Sequence, residues 1–195
     1  MNQSTPATSP SEPDVDRSAP LIPSEIFPFP LDDFQLEAMD ALNQGHSVVV
    51  SAPTGSGKTL IGEYAIHRAL AHGQKVFYTT PLKALSNQKL RDFRDQFGAE
   101  NVGLMTGDLS VNREASIVVM TTEIFRNMLY AEADEHDDPL ADVEAVVLDE
   151  CHYMNDSQRG TVWEESIIHC PPTVQLVALS ATVANAGQLT DWIEK

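Results

Sequence analysis

Six consecutive residues with side chains and backbones suited to binding phosphate lie between a strand pattern and a helix pattern. They are Thr54, Gly55, Ser56, Gly57, Lys58 and Thr59. The preceding run Val48–Val50 predicts a strand that is buried on both faces of a parallel sheet, and the residues after Lys58 repeat with a helical period. In such a loop, backbone N–H groups and the positive end of the helix surround an anion, Lys58 reaches the terminal phosphates, and the Thr59 hydroxyl holds Mg²⁺. The stretch therefore predicts a loop that binds a phosphorylated ligand together with Mg²⁺.

A second group of polar residues follows another apolar run. The four residues 145–148 are apolar, and Asp149, Glu150 and His152 come directly after them. Because ligands of open α/β sheets gather at the carboxyl ends of strands, we expect Asp149 to face the Mg²⁺ held by Thr59. Mg²⁺ keeps several waters, so one carboxylate that acts partly through water is sufficient. Glu150 is then placed to orient or deprotonate the attacking water, and His152 is a candidate sensor of the bound nucleotide.

The elements that must position these residues alternate between strand and helix patterns. Strands are predicted within KVFYTT, NVGLMTGD, SIVVMTT, EAVVLDE and VQLVALSAT. Helices are predicted over Asp33–Asn43, from residue 82 to Gly98, over Glu123–Ala131, within RGTVWEESIIHC and within AGQLTDWIEK. In the first of these, the period places Leu36, Ala38, Met39 and Leu42 inward. The alternation predicts an α/β domain with a mostly parallel sheet and helices on both faces.

The domain limits follow from composition. Residues 1–25 consist mainly of Pro, Ser, Thr and acidic residues, which cannot bury enough apolar surface to offset the entropy of ordering, so we predict a disordered tail. Residues 26–195 form one predicted domain, because 195 residues suffice for one sizeable core and not for two large ones. Two cysteines, Cys151 and Cys170, provide neither a disulfide framework nor a metal-binding spacing, which favours a reducing cytoplasm. No apolar run reaches the length of a membrane span.

The charge of the chain is unevenly distributed. The formal net charge is −17, yet seven basic residues and only two acidic ones lie between Lys58 and Arg94. The stretch from Met128 to Gln158 contains ten acidic residues and neither Lys nor Arg. The acidic total therefore does not exclude a nucleic-acid partner, provided that the acidic loop over residues 132–142 faces away from it.

Several short motifs together resemble those of one enzyme family. Asp149–His152 is a DExH box, and the form A-x-x-G-x-G-K-T, which begins at Ala52, is typical of superfamily-two helicases. The segment LSAT resembles motif III, in which Ser180 and Thr182 would couple the nucleotide to nucleic acid. FPLDDFQ is similar to a Q-motif, in which Phe29 would stack on adenine and Gln35 would hydrogen-bond its edge.

Three further motifs in the same order resemble the nucleic-acid contacts of that family. PLKALSNQK resembles motif Ia, TGD the turn after it, and TTEIFRNML motif Ib. The residues that the resemblance places against RNA are Pro81, Lys83, Thr106, Gly107, Thr121 and Thr122. They are small, threonine-rich or basic, so they suit the RNA backbone and do not read bases. Lys89, Arg91 and Arg94 follow on the same predicted helix, where Arg91 and Arg94 fit a solvated face.

The chain is identified as a member of the superkiller-like DExH-box RNA helicases of superfamily two, and it resembles their first RecA-like domain from about residue 27 onward. This resemblance implies ATP and Mg²⁺ as cofactors, single-stranded or structured RNA as the partner, and a connection to RNA-degradation machinery. It also implies a monomer whose second RecA-like domain lies outside the chain, so the chain alone is expected to hydrolyse ATP very slowly.

Three alternatives remain open at the level of sequence. A P-loop kinase of nucleotides or small molecules would share the phosphate loop, although the DExH box and the lack of an Arg-rich lid disfavour it. A module that uses ATP as a switch without turnover is disfavoured by Glu150. A DNA helicase differs only in substrate, and only the family resemblance favours RNA.

Overall fold

The computed structural model describes residues 20–130, 138–155 and 160–181. Thr182 and the helix predicted within AGQLTDWIEK lie outside these residues. The helices are α1 Pro23–Ile26, α2 Asp33–Asn43, α3 Thr59–His72, α4 Lys83–Phe97, α5 Thr122–Tyr130 and α6 Gly160–His169, and short 3₁₀ turns cover Ala99–Asn101 and Cys151–Asn155. The strands are β1 Val48–Ser51, β2 Lys75–Thr80, β3 Val102–Met105, β4 Ser110–Val111, β5 Ile117–Thr121, β6 Val143–Leu148 and β7 Gln175–Ser180.

The seven strands form one sheet in the order β1-β7-β6-β2-β5-β3-β4. Every pairing is parallel except that of β3 with β4, which is antiparallel. The predicted α/β fold with a mostly parallel sheet is confirmed. The sequence prediction missed β4, because a strand of two residues is too short to show an alternating pattern.

Two apolar clusters cover the two faces of the sheet, as expected for a strand buried on both sides. Along β2, Phe77 packs into the cluster that contains Trp163, whereas its neighbour Tyr78 packs into the cluster that contains Phe93. The rings of Tyr78 and Phe93 lie edge to face with centroids 4.9 Å apart. Helices α2, α3 and α4 therefore cover one face, and α5 and α6 cover the other.

Helix α2 corrects one detail of the predicted pattern. Ala38, Met39 and Leu42 are buried as expected, but the side chain of Leu36 is exposed. The fourth buried position is Gln35, which lies three and four residues before Ala38 and Met39 and so shares their face. A polar residue occupies this position because its side chain reaches the phosphate loop, as described below.

The residues just before α1 belong to the folded domain. The carbonyl oxygen of Leu21 accepts hydrogen bonds from the Tyr64 hydroxyl at 2.7 Å and from the Asn43 amide at 3.1 Å. Leu21 thus contacts α2 and α3, the predicted limits of tail and domain stay a prediction, and residues 1–19 lie outside the described part.

The edge of the sheet formed by the amino ends of the strands carries the described end of the acidic loop. The backbone N–H of Lys75, the first residue of β2, donates to the carbonyl of Asp142 at 2.7 Å. Residues 138–142 thus lie at the edge opposite to the carboxyl ends of β2 and β6, in agreement with the expectation for this part of the loop. Among the described helices, none has the length and apolar character needed to cross a membrane.

Candidate nucleotide and nucleic-acid site

The carboxyl ends of six parallel strands meet at one edge of the sheet and bring the predicted site residues into two adjoining groups. The phosphate loop follows β1, Ser180 ends β7, and Asp149 follows β6. The neighbouring strands β2, β5 and β3 end next to Pro81, Thr121 and Thr106. The first three strands therefore carry the predicted nucleotide half of the edge, and the next three carry the predicted RNA half.

The phosphate loop has the backbone shape that its glycines predict. Gly55 and Gly57 have φ values of +84° and +80°, a region that residues with a side chain rarely adopt. Lys58 immediately precedes α3, and its Nζ donates to the carbonyl of Pro53 at 3.1 Å across the loop. Thr59 is the first residue of α3. The loop thus closes on itself at the amino end of a 14-residue helix.

Gln35 is bound to this loop. Its Nε2 donates to the carbonyl oxygens of Gly57 at 3.1 Å and Ser56 at 3.4 Å, and its Oε1 accepts the backbone N–H of Asp32 at 2.9 Å. The amide thereby ties the start of α2 to the loop. The adenine contact inferred from the Q-motif stays a prediction, and it requires the amide to share or exchange these partners.

Phe29, which lies shortly before α2, has an exposed aromatic ring. Its side chain is 47% exposed, and its ring lies 5.8 Å from that of the buried Phe27 at a tilted angle. An open aromatic ring held from behind by a second ring is suited to stacking on a base. A cavity of about 310 Å³ lies at the amino edge of the sheet, where Asp138 and Glu144 line it, away from the carboxyl ends of the strands.

Asp149 is nearly buried and has three partners. Its Oδ2 accepts a hydrogen bond from the Tyr78 hydroxyl at 2.7 Å and lies 3.6 Å from the Nζ of Lys89. Its Oδ1 accepts the backbone N–H of Glu150 at 2.9 Å. Burial first, and then the Asp149 carboxylate, raise the pKa of Tyr78 well above its usual value. The hydroxyl therefore stays protonated and donates to the carboxylate.

Glu150 and His152 connect β6 to the end of β7. Glu150 has a φ of +56°, which is costly for a residue with a side chain and marks a strained position next to the site. The Nδ1 of His152 accepts the backbone N–H of Ala181 at 3.2 Å and lies 3.1 Å from the Oε2 of Glu150. The first contact requires Nδ1 without a proton, and the second is favourable only when Nδ1 carries one. His152 can therefore report a change at Glu150 to the segment that follows Ser180.

The residues of this half fit Mg²⁺ and a nucleoside triphosphate. The Ser56 hydroxyl is buried in the loop without a hydrogen-bond partner, although the loop is polar throughout. Across residues 20–130, 138–155 and 160–181, no three His, Cys, Asp or Glu side chains converge as a metal cluster. Mg²⁺ bound with a nucleotide needs only one or two carboxylates, since phosphates and waters complete its shell.

The RNA half contains an ion pair that the sequence did not reveal. Lys83, the first residue of α4, pairs with Asp108 of the TGD turn, and both side chains are exposed. The Thr106 hydroxyl also donates to Asp108, at 3.0 Å. The hydrogen bonds from Lys83 and then from Thr106 lower the pKa of the Asp108 carboxyl.

The six predicted RNA residues differ in accessibility. Lys83 and Gly107 are exposed, whereas Pro81, Thr106, Thr121 and Thr122 are buried. The Thr122 hydroxyl donates to the carbonyl of Thr80 at 3.2 Å and so supports the junction of β2 and β5. The structure therefore brings all six to one edge, but it leaves Thr122 facing the protein interior.

Three residues near the site were not predicted to act there: Tyr78, Lys89 and Asp108. Tyr78 resembles any aromatic residue of a buried strand, and Asp108 any polar residue of a turn. Lys89 is 60 residues before Asp149 in the chain, so no local pattern connects them. Arg94 is partly buried rather than fully solvated as predicted, because its guanidinium donates to the carbonyl of Val102 at 3.4 Å and so ties α4 to β3.

The comparisons with known proteins agree with this geometry. Residues 32–189 match the model of the DEAD/DEAH box helicase family. The chain belongs to this family. It is 58% identical over 170 residues to the chloroplastic DExH-box ATP-dependent RNA helicase DExH15 of Arabidopsis thaliana, a match that covers 86% of this chain and 14% of that protein. It is 51% identical over 171 residues to the antiviral helicase SKI2 of Saccharomyces cerevisiae, covering 88% of this chain and 13% of that protein.

A solved structure of a related helicase supports the fold. The helicase Lhr of Mycobacterium smegmatis, bound to single-stranded DNA and AMP-PNP, matches with a TM-score of 0.62 and 27% identity, over 82% of this chain and 24% of that one. The expected membership among superkiller-like DExH helicases of superfamily two is confirmed. The chain spans less than a fifth of the length of these two curated relatives.

Proposed function

We propose that this DEAD/DEAH box domain is the first RecA-like domain of an ATP-dependent RNA helicase. The observation that carries the proposal is the pairing of β6 with β2. Asp149 and Glu150 follow β6, and the neighbouring β2 ends in the predicted RNA half, so the two predicted sites share one edge of the sheet. A nucleotide site and a nucleic-acid site that share neighbouring strand ends can influence each other through small movements of those strands.

The residues have distinct roles in this proposal. The loop from Thr54 to Gly57 surrounds the phosphates with backbone N–H groups, and Lys58 turns from the Pro53 carbonyl toward the terminal phosphates. Thr59 and Asp149 would hold Mg²⁺, which neutralises the charge that develops on the phosphates when it is bound. Gln35 and Phe29 orient the base.

Glu150 accepts a proton from the attacking water, and His152 passes the change toward Ser180 and Thr182 through its contact with the Ala181 N–H. Lys83, Gly107 and the backbone around Thr106, Thr121 and Pro81 follow the RNA backbone. A second RecA-like domain outside this chain supplies the other half of the nucleotide site, including an arginine finger that contributes about 10³–10⁵ in rate in related phosphoryl transfers.

RNA is the proposed substrate because four relatives, between 47% and 58% identical, carry the words RNA helicase in their names. A DNA helicase is the second candidate, since Lhr was solved with single-stranded DNA. We further propose a monomer that works in the cytoplasm with RNA-degradation machinery.

The test uses the protein that carries this domain and measures ATP hydrolysis with single-stranded RNA, single-stranded DNA or neither. We expect RNA to stimulate turnover more than DNA does. Glu150→Gln should keep ATP bound yet stop turnover, whereas Asp149→Asn should lose the Mg²⁺-dependent part of ATP affinity. Hydrolysis by Glu150→Gln at the parental rate would contradict the role of Glu150, and equal stimulation by DNA would favour the second candidate.

A further inference from the structure

Lys89 places a positive charge directly at the predicted Mg²⁺ ligand. Its Nζ lies 3.6 Å from the Oδ2 of Asp149, and both side chains are largely buried, with 18% and 10% of their surfaces exposed. Lys83 and Lys75 also form ion pairs, but with the exposed carboxylates of Asp108 and Glu114. A buried ion pair attracts far more strongly than an exposed pair at the same distance, because solvent and salt screen buried charges only weakly.

Two aromatic rings hold Lys89 in this position. Its Nζ lies 5.1 Å from the centroid of the Tyr78 ring and 5.7 Å from that of Phe93, both within the range of cation–π attraction. The Tyr78 hydroxyl reaches the same carboxylate oxygen at 2.7 Å. Lys89 is thus fixed by packing as well as by charge, unlike a lysine that points into solvent.

The packing of α3 on the sheet allows this arrangement. Gly62 lies in α3 directly above Tyr78, and a Cβ at Gly62 would stand 3.1 Å from the Tyr78 ring and 3.2 Å from Val147. A larger residue would have to push the ring and move its hydroxyl relative to Asp149. The glycine therefore permits the close approach that brings tyrosine, lysine and carboxylate together.

We propose that Lys89 is a resident counter-cation of Asp149. Its ammonium partly neutralises the Asp149 carboxylate while the nucleotide site is empty, and it repels Mg²⁺ when Mg²⁺ binds there. This inference rests on the proposed Mg²⁺–ATP site and adds a residue that sets the Mg²⁺ concentration at which that site fills. Lys89 acts through Asp149 and is a positioning residue with an electrostatic effect. Like charges that face the same carboxylate compete, so binding of Mg²⁺ must work against the Lys89 ammonium.

The experiment measures the Mg²⁺ concentration that gives half-maximal binding of a fluorescent ATP analogue to the full chain. Lys89→Met and Lys89→Gln should each lower this midpoint, on the order of tenfold, because they remove a unit charge from the site. Lys89→Arg should stay near the parental midpoint, since it keeps the charge. Tyr78→Phe should shift the midpoint by less than the neutral Lys89 variants do, because it removes a hydrogen bond to Asp149 and leaves the charge of Lys89 in place.

Lys75→Met is the matched control, since it removes an equal charge from the exposed pair with Glu114 at the amino end of β2. Its midpoint should equal that of the parent. An unchanged or a raised midpoint in both neutral Lys89 variants, with Mg²⁺-dependent binding intact in the parent, would overturn the counter-cation role and leave the proposed function standing. Absence of Mg²⁺-dependent binding in the parent would overturn both.

Discussion

The side-chain amide of Gln35 occupies the space beside Gly57 that a side chain would need. A Cβ at Gly57 would stand 2.5 Å from the Gln35 Nε2, whereas a Cβ at Gly55 would meet nothing within 4 Å. Both glycines have positive φ, so an alanine at either position causes similar backbone strain. Only the alanine at Gly57 also displaces the amide that ties α2 to the loop.

This pair of glycines gives the first prediction. Gly57→Ala should lower the free energy of unfolding by about 1–2 kcal/mol more than Gly55→Ala does, because it breaks the bonds from Gln35 to the Ser56 and Gly57 carbonyls. Denaturant unfolding of both variants measures the difference. In a Gln35→Ala background the two alanines should cost the same, and a difference that persists there would show that the amide is not its cause.

The contact between Gln35 and the loop separates the features that local sequence patterns predict from those that they do not. The limits of β2 and α2, and the positions of the loop and of the DExH box, follow from local patterns of period and from turn residues, and the structure has them where they were expected. The burial of Gln35 and the exposure of Leu36 do not follow, because the apolar period alone assigns the inward face to leucine. A long-range hydrogen bond to the loop decides this face, and such bonds leave no local signal.

Local sequence patterns also do not indicate which charged residues form ion pairs. Lys83 lies just after the carboxyl end of β2, as predicted, but its pairing with Asp108 depends on the antiparallel turn between β3 and β4. The meeting of Lys89 and Asp149 depends on the order in which β2 and β6 pair, which the alternation of elements does not determine. Predicting them would have required the strand order first.

The second prediction concerns a buried ionic network at the amino edge of the sheet. Glu144 pairs with Arg68 at 3.0 Å and with His72 at 2.8 Å, and Arg68 also donates to Gln175 at 2.8 Å. Glu144→Gln leaves the Arg68 charge without its carboxylate, so we expect a loss of about 3–5 kcal/mol in the free energy of unfolding. Thermal and denaturant unfolding measure it.

The network lies at the opposite edge from the nucleotide half, which provides an internal control. Glu144→Gln should leave ATP affinity unchanged at temperatures well below its unfolding transition. Glu114→Gln, which removes an exposed carboxylate paired with Lys75, should cost less than about 1 kcal/mol. A comparable loss in both variants would argue that burial does not strengthen the Glu144 pairs.

The third prediction is a loss of stability in alkaline solution. Burial raises the pKa of the Cys170 thiol to about 12, from about 9 in the unfolded chain. Because the folded state holds this proton more tightly, its contribution is fully present below pH 9 and is lost as the pH rises toward 12. At pH 10 ionisation of this thiol in the unfolded chain should lower the free energy of unfolding by about 1.4 kcal/mol.

Cys170→Ala removes the ionisable group and should flatten the decline of the unfolding free energy between about pH 8.5 and pH 10. Burial also raises the pKa of the Cys151 thiol, which contributes to the decline over the same range, and Tyr78 contributes at higher pH, so the comparison rests on the difference between variant and parent. Parallel curves for the two proteins over this range would contradict the burial of the thiol.

The last prediction concerns the ion pair between Lys83 and Asp108 in the RNA half. An RNA phosphate that binds Lys83 must compete with the Asp108 carboxylate, which the structure places in contact with the ammonium. Asp108→Asn should therefore strengthen binding of single-stranded RNA, and Lys83→Ala should weaken it.

Each phosphate that is neutralised contributes about 0.7 to the slope of log affinity against log salt for a single strand. A salt titration should thus show the steepest slope for Asp108→Asn and the shallowest for Lys83→Ala, with the parent between them and a total difference of about 0.7, the contribution of one phosphate neutralised by Lys83. Lys75→Ala and Glu114→Gln, at the opposite edge, provide the matched pair and should leave both affinity and slope unchanged. If the two pairs of variants behave alike, RNA binds elsewhere on the domain.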